Sequence, residues 1–213
     1  MIQSLVVTTE PVGVSSVTKV PRALVIACGA IAHELVAVRN QYGGEHLVIQ
    51  CLPADLHNRP EKIPGAVRGK IEAARDCFAS IFVAYADCGT GGSLDRVVEE
   101  YGIGRLPGAH CYEFFAGASA FDELAEEELG TLYLTDFLAR NFERLIIRGF
   151  GIDRHPELQN MYFKHYTRVV YMPQRENAPY AHQARAAAQR LGLRYELRPT
   201  GLAPFARALV SFE

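Results

Sequence analysis

The sequence predicts an α/β protein built on an open, mostly parallel sheet with helices on both faces and a helical insertion. Two observations carry that expectation. Apolar runs of strand length alternate along the chain with segments of helical spacing, which is the order a parallel sheet needs. The runs are also continuous rather than alternating, as in ALVIAC and SIFVA, which suits strands covered on both faces. Together they describe a Rossmann-like layout.

The elements follow in order. Residues 1–21 are polar and β-branched and end in Val20-Pro21; they read as an N-terminal arm or short edge strand before a single domain over 22–213. ALVIACG is the first strand. AIAHELVAVRNQYGG is a helix, with Ala30, Leu35 and Val38 at helical spacing and Gly43-Gly44 as its stop. EHLVIQCLPA is the second strand, and PEKIPGAVRGKIEAARDCFA a second helix with a possible break at Pro64. SIFVAYADC, SLDRVVEEYG and IGRLPGAHCYEFF supply a third strand, a third helix and a short fourth strand. The stretch 118–152 reads as helical throughout, split near Gly130-Thr131, and a further helix runs from His155 to about His165. Residues 118–165 thus form the insertion, covering the sheet edge. TRVVYMP and RYELRP are the last strands, on either side of a helix closed by Gly192; LAPFARALVSF is helical or irregular.

Composition narrows the function. The chain has 213 residues, of which 49% are hydrophobic, enough for a full core in one domain. Its net charge of −2 gives no basic surface for nucleic acid. No apolar stretch approaches the roughly 20 residues that cross a bilayer, and the first residues lack the pattern of a signal peptide. Five cysteines is an odd count in a chain of this size, so a cytoplasmic protein with free thiols is expected.

Four of those cysteines, Cys28, Cys51, Cys88 and Cys111, each follow an apolar or aromatic run and precede a turn or helix start. Open α/β sheets bind ligands just outside the carboxyl ends of their strands. One sheet edge would therefore gather four thiols, with His57, Asp87, His110 and Glu113 nearby. Thiolates are soft ligands suited to zinc, Cu(I) or iron–sulfur clusters. Packing is the competing reading, because a free cysteine behaves as a small hydrophobe; Cys77 is read that way. Four adjacent strand tips span roughly 14 Å at ~4.8 Å per strand, too far for Zn–S bonds of ~2.3 Å in a straight row. Either the loops curl inward, or two or three thiols bind while His110 or Glu113 completes the shell, or a larger cluster is held, or two thiols form a redox pair. In extended chain His110 and Cys111 point to opposite faces, and Glu113 shares the side of Cys111.

Two loops add polar groups. In DCGTGGSLD, Gly89, Gly91 and Gly92 allow close approach of a ligand, Thr90 lies among them, and Ser93 would cap the next helix, making a cradle for a carboxylate or phosphate. A tight β–α turn is the plainer reading, and neither a Walker loop nor a full GxGxxG is present. Asp87 would act as general base or as an acceptor. In LPADLHNRPEKIP, His57 would be a ligand or acid/base group, and Asn58 and Arg59 would meet a carboxylate substrate; the same residues also suit a helix start. Glu34, at the first helix start, would reach the strand-end cleft.

CGA (28–30) with Glu34, CLPADLHNRPEKI, YADCGTGGSLD, HCYEFFAG and GIDRHPEL together resemble the DUF1638 family over about residues 22–200. The family is defined by sequence and has no settled function. Its members accompany corrinoid-dependent methyltransferases and corrinoid-reactivating iron–sulfur proteins, so the resemblance implies a role in methyl transfer or cobalamin upkeep, with a corrinoid protein or methyltransferase as partner. The expectation is a metal-binding protein of that system. Zinc on Cys28, Cys51, Cys88, Cys111 and His110 would hold a thiol or methyl acceptor as thiolate. His57, Glu113 and Asp87 would be catalytic, and Glu34, Asn58, Arg59 and the Gly89–Ser93 turn would bind a small-molecule substrate, with a homo-oligomer as one expected arrangement. Two alternatives stand beside it: a non-catalytic accessory protein with an iron–sulfur cluster or structural metal, and a metal-free thiol-redox enzyme.

Overall fold

The computed structural model describes residues 22–42 and 44–210. The expected arm over 1–21, and Gly43 of the first helix stop, lie outside the described residues. The chain is α/β with parallel sheets, as predicted, but the strands divide into two sheets. β1 (Ala23–Cys28), β2 (Leu47–Leu52), β3 (Ser80–Ala84) and β4 (Gly104–Arg105) lie in the order β2-β1-β3-β4, all parallel. β5 (Thr131–Thr135), β6 (Arg168–Met172) and β7 (Arg194–Leu197) form a second parallel sheet in that order. The expectation that 118–152 is helical throughout is therefore corrected: Thr131–Thr135 is a strand. Short apolar runs are ambiguous between strand and buried helix by periodicity alone. Here pairing with the fully buried β6 decides the matter.

In the first sheet, alternate residues of each strand feed two cores. Leu24 and Ile26, with Leu52 and Val83, pack on Ile63, Val67 and Ile71 of α2 (Ile63–Ala74) and on Leu94, Val97 and Val98 of α3 (Ser93–Glu100). Val25, Ala27 and Ala84 face Leu35 and Val38 of α1 (Ala32–Gln41), Phe114 and Phe115 of α4 (Cys111–Ala116), and Phe205 of α9 (Ala203–Val210). This two-sided burial is why the strands read as unbroken apolar runs. Each fully buried Leu or Ile contributes roughly 1.5–3 kcal/mol. Pro64 sits in the first turn of α2, where its missing N–H costs nothing, so it starts the helix instead of breaking it.

The second sheet buries Leu134, Val169 and Tyr171 against α6 (Asp136–Arg140), the π-helical turn Glu143–Ile147, α7 (Glu157–Phe163) and α8 (Ala181–Leu191). Its other face sets Val170 and Met172 against Leu124 of α5 (Ala118–Glu127) and Tyr112 of α4. Gly192, at φ 74°, closes α8 as expected. Helix α4 thus serves both sheets. A second tie runs from Asn58 Nδ2, which donates to the Leu145 carbonyl at 2.6 Å. The turn Gly29–Ile31, at the carboxyl end of β1, lies against α6, which starts at the carboxyl end of β5. The carboxyl ends of β1 and β5 therefore meet at a common junction.

Candidate functional site

β1 lies between β2 and β3, so the chain leaves it toward one neighbour and later returns on its other side. The loops after β1 and β3 part at that switch point, where open α/β sheets form their ligand crevice. Cys28 ends β1, and its sulfur accepts the Ala30 N–H at 3.4 Å. Cys88 follows β3 at φ 50°, a left-handed conformation that costs a non-glycine residue roughly 1–2 kcal/mol. The loop before α4 holds it there: Asp87 N–H donates to the Gly108 carbonyl at 3.1 Å and Cys88 N–H to the Ala109 carbonyl at 2.8 Å. Those bonds carry Cys111, the first residue of α4, to Cys88.

Cys28, Cys88 and Cys111 line one small cavity of about 20 Å³ together with His57, Tyr85 and Phe114. That is room for about one water-sized occupant. The Cys111 thiol donates a hydrogen bond to Cys88 and holds the Cys88 thiol below its ordinary pKa, against the opposing effect of burial. Cys111 is raised well above the usual thiol range, first by its partnership with Cys88 and then by burial. Burial pushes Cys28 up to about 11. His57 is lowered by burial and then by His110, and so is neutral at pH 7. Tyr85 is raised far above the ordinary phenol by burial and then by Cys28; among the described residues its buried hydroxyl meets no hydrogen-bond partner of good geometry. The first negative charge in the cavity therefore falls on Cys88.

Several predicted residues lie elsewhere. Cys51 is exposed on the edge strand β2, one residue before its end; Leu52 takes the register position opposite Cys28. Strand parity aims Cys51 with Ile49 toward the α1 face, so the expected four-thiol edge is a three-thiol cavity. Cys77, expected in the core, is exposed after α2. Cys111 opens a helix, so the extended-chain pairing with Glu113 does not arise. The Glu113 carboxylate instead accepts from the Ala109 N–H at 2.8 Å and the His110 N–H at 3.2 Å, and His110 is exposed.

The glycine turn is filled by its own aspartate. Asp87 accepts from Thr90 Oγ1 at 2.6 Å, Gly92 N–H at 2.9 Å and Gly91 N–H at 3.1 Å. Those donors, the Thr90 hydroxyl first, bring its carboxyl down to about 2, which removes it as a base near neutral pH. The positive φ of Gly91 and Gly92 turns their N–H groups inward, so the cradle expected for an anionic substrate is occupied. Gly92 is the cap residue of α3, while the Ser93 hydroxyl donates to the Thr90 carbonyl. Asn58 spends its amide on the inter-sheet tie, and Arg59 is exposed. Glu34 is buried, 7% exposed, with Oε2 unpartnered; burial and then Asp136 raise it to about 7, opposed by Arg175.

Tyr85, Asp136 and Arg175 were not anticipated. Tyr85 is hidden inside an apolar run, and Asp136 follows Thr135 in a helix-start pattern that only the strand β5 makes legible. Among the described residues, no three His, Cys, Asp or Glu side chains are placed to share a metal ion. The donor types at the cavity suit a soft ion, but their present placement does not form its shell.

Fold and cavity together define a parallel α/β protein with a thiol site at a sheet switch point. A family model described as "Protein of unknown function (DUF1638)" matches residues 51–209, and the chain belongs to that family. Cys88 and Cys111 fall inside the matched region, whereas Cys28 and Glu34 precede it. No curated protein and no solved structure matches the chain.

Proposed function

We propose that the protein is a thiol-redox protein whose working pair is Cys88 and Cys111. The observation that supports this most is that Cys88 and Cys111 line one small cavity, where Cys111 holds the Cys88 thiol below its ordinary pKa and is itself raised, so that Cys88 is the readier thiolate. Thiolate, not thiol, is the attacking species. With a small disulfide substrate, the Cys88 thiolate attacks one sulfur and the first thiolate leaves. Cys111 then gives its proton to neutral His57 and attacks the Cys88 sulfur, breaking its bond to the substrate's remaining sulfur, which leaves as the second thiolate. The substrate gains two electrons, and Cys88–Cys111 becomes a disulfide that an external dithiol reduces. The cavity of about 20 Å³ would admit only the reacting end of such a substrate.

A metal reading is favoured by one further observation: Cys28 and His57 line the same cavity, and the redox cycle leaves Cys28 unused. Zinc held by Cys28, Cys88, Cys111 and His57 would supply Lewis acidity and thiolate stabilisation. The corrinoid methyl-transfer setting implied by the family resemblance belongs with this reading. An iron–sulfur cluster needs more room than one atom-sized cavity.

The test is alkylation of anaerobically purified protein across pH, mapped by mass spectrometry, with metal analysis on the same sample. The redox reading expects Cys88 to label with a lower pH midpoint than Cys77, and oxidised glutathione to give a Cys88–Cys111 disulfide in metal-free protein. Equal midpoints and no such disulfide would refute it. About one zinc per chain, lost in Cys28→Ser, Cys88→Ser and Cys111→Ser but kept in Cys77→Ser, would put the metal reading in its place.

A further inference from the structure

A second cavity, of about 400 Å³, lies between the segments 173–176 and 199–202, at the carboxyl ends of β6 and β7. Its size falls in the range of small-molecule sites, roughly 300–1,000 Å³. Its position repeats the rule that parallel sheets bind at their carboxyl edges. None of its residues lines the thiol cavity.

Its polar walls are unequal. Gln174 is buried and fully engaged, accepting the Asp136 N–H at 2.7 Å and donating to the Met172 carbonyl. Arg175 is engaged only in part. Its Nη2 donates to the Tyr180 hydroxyl at 2.7 Å, its Nε reaches Asp136 Oδ2 at 3.4 Å, and its guanidinium lies over the Tyr180 ring at 5.2 Å. Among the described residues its Nη1 has no acceptor, and the side chain is 56% exposed. Asp136 is itself committed, because the buried Tyr171 hydroxyl donates to its other oxygen at 2.5 Å. Arg175 is thus a cation fixed by stacking and two bonds, with donors left over toward the cavity.

The backbone holds this arrangement at some strain. Asn177 (φ 63°) and Ala178 (φ 45°) take left-handed conformations, and Ala has no side-chain hydrogen bond to favour one. They fold the chain so that Tyr180 returns to Arg175, with the Tyr180 N–H donating to the Tyr171 hydroxyl at 3.2 Å. Such outliers persist where the surrounding structure over-determines them, and they cluster at ligand sites.

We propose that this cavity binds a small oxyanionic ligand, a carboxylate or phosphate ester, with Arg175 as its anchor. A planar guanidinium with free donors matches the two oxygens of such a group. Glu176, exposed at the rim, opposes the anion and sets a limit on its charge. Asp136 pairs with Arg175 at 3.4 Å and Glu34 lies within the field of both, so with Glu34 protonated Asp136 is the carboxylate of that pair that offsets the guanidinium.

The test uses the full chain and calorimetric titration with inorganic phosphate, phosphoglycolate and succinate. Saturable binding of at least one probe is expected, weakened at least tenfold in Arg175→Gln and retained in part by Arg175→Lys. Glu176→Gln, which touches none of the buried network, should tighten binding several-fold. Cys88→Ser should bind as wild type does, which separates this site from the thiol reading. No saturable binding of any probe, or unchanged affinity in both Arg175→Gln and Glu176→Gln, would overturn the proposal.

Discussion

Replacing Glu34 by Gln should stabilise the protein at alkaline pH and leave it unchanged in acid. The carboxyl is buried at the junction of the two sheets, one oxygen has no partner, and burial followed by Asp136 raises it from 4.5 to about 7. Below the unfolded value, folded and unfolded chains both carry the proton, and the group contributes nothing that Gln lacks. Between that value and about 7 the unfolded chain ionises while the folded one does not, so stability falls as pH rises. Above about 7 both are ionised and the cost is constant. At 1.36 kcal/mol per pH unit the full difference is about 3 kcal/mol. For a chain of this length that is a rise of about 6–12 °C in Tm for Glu34→Gln at pH 8. Urea unfolding of both proteins across pH measures it, because every other titrating group cancels in the difference. A difference that does not change with pH, or a variant less stable than wild type at pH 8, would refute the reasoning.

Three other outcomes can be checked alongside. Asp87→Ala removes the acceptor of the Thr90, Gly91 and Gly92 donors and should cost about 1–3 kcal/mol near neutral pH. Because the folded carboxyl is held low, its contribution is present above the unfolded value and lost as pH falls toward about 2, so the variant's deficit should shrink in acid unfolding curves. Asn58→Ala cuts the tie to the Leu145 carbonyl and should cost about 1–2 kcal/mol, read as faster amide exchange in Glu143–Ile147 before the rest of the chain. Ile26→Ala, at a fully buried position of the central strand, should cost about 2–5 kcal/mol in equilibrium unfolding with little change in the reactivity of exposed Cys77.

Most of the first sheet was legible because burial on both faces leaves a plain mark: ALVIAC has no polar residue that would choose a face, and SIFVA has only the exposed Ser80 at its start. The second sheet was half hidden. TLYLT is flanked by helical patterns of similar apolar density, and only its pairing with β6 shows it to be a strand. Cys28 and Cys88 were readable as members of one strand-end set because one ends and the other follows the strands that flank the switch point. Cys51 was misplaced by a single residue of register, which in a strand reverses the face. The glycine turn misled for a different reason. Its N–H groups do converge, but Asp87, two residues before Gly89, is the anion they meet. A sequence shows that donors will gather and not which acceptor arrives first.

The same distinction separates the two cavities. Around the thiol site most polar groups answer one another: Cys88 is held by Cys111, Asp87 fills the turn, and Glu113 caps α4. What remains is a cavity about one water-sized group wide, where reactivity depends on which sulfur keeps the charge. Beside β6 and β7 the balance is reversed. Gln174 and Asp136 are spent on the backbone and on Tyr171, while Arg175 keeps unused donors on a cavity about twenty times larger (400 Å³ against 20 Å³). Chemistry suited to a few reacting atoms thus sits at one strand edge, and recognition suited to a whole small molecule at the other. Glu34 lies six residues beyond Cys28 and within the field of Asp136 and Arg175, so an anion bound at Arg175 should raise its proton affinity further.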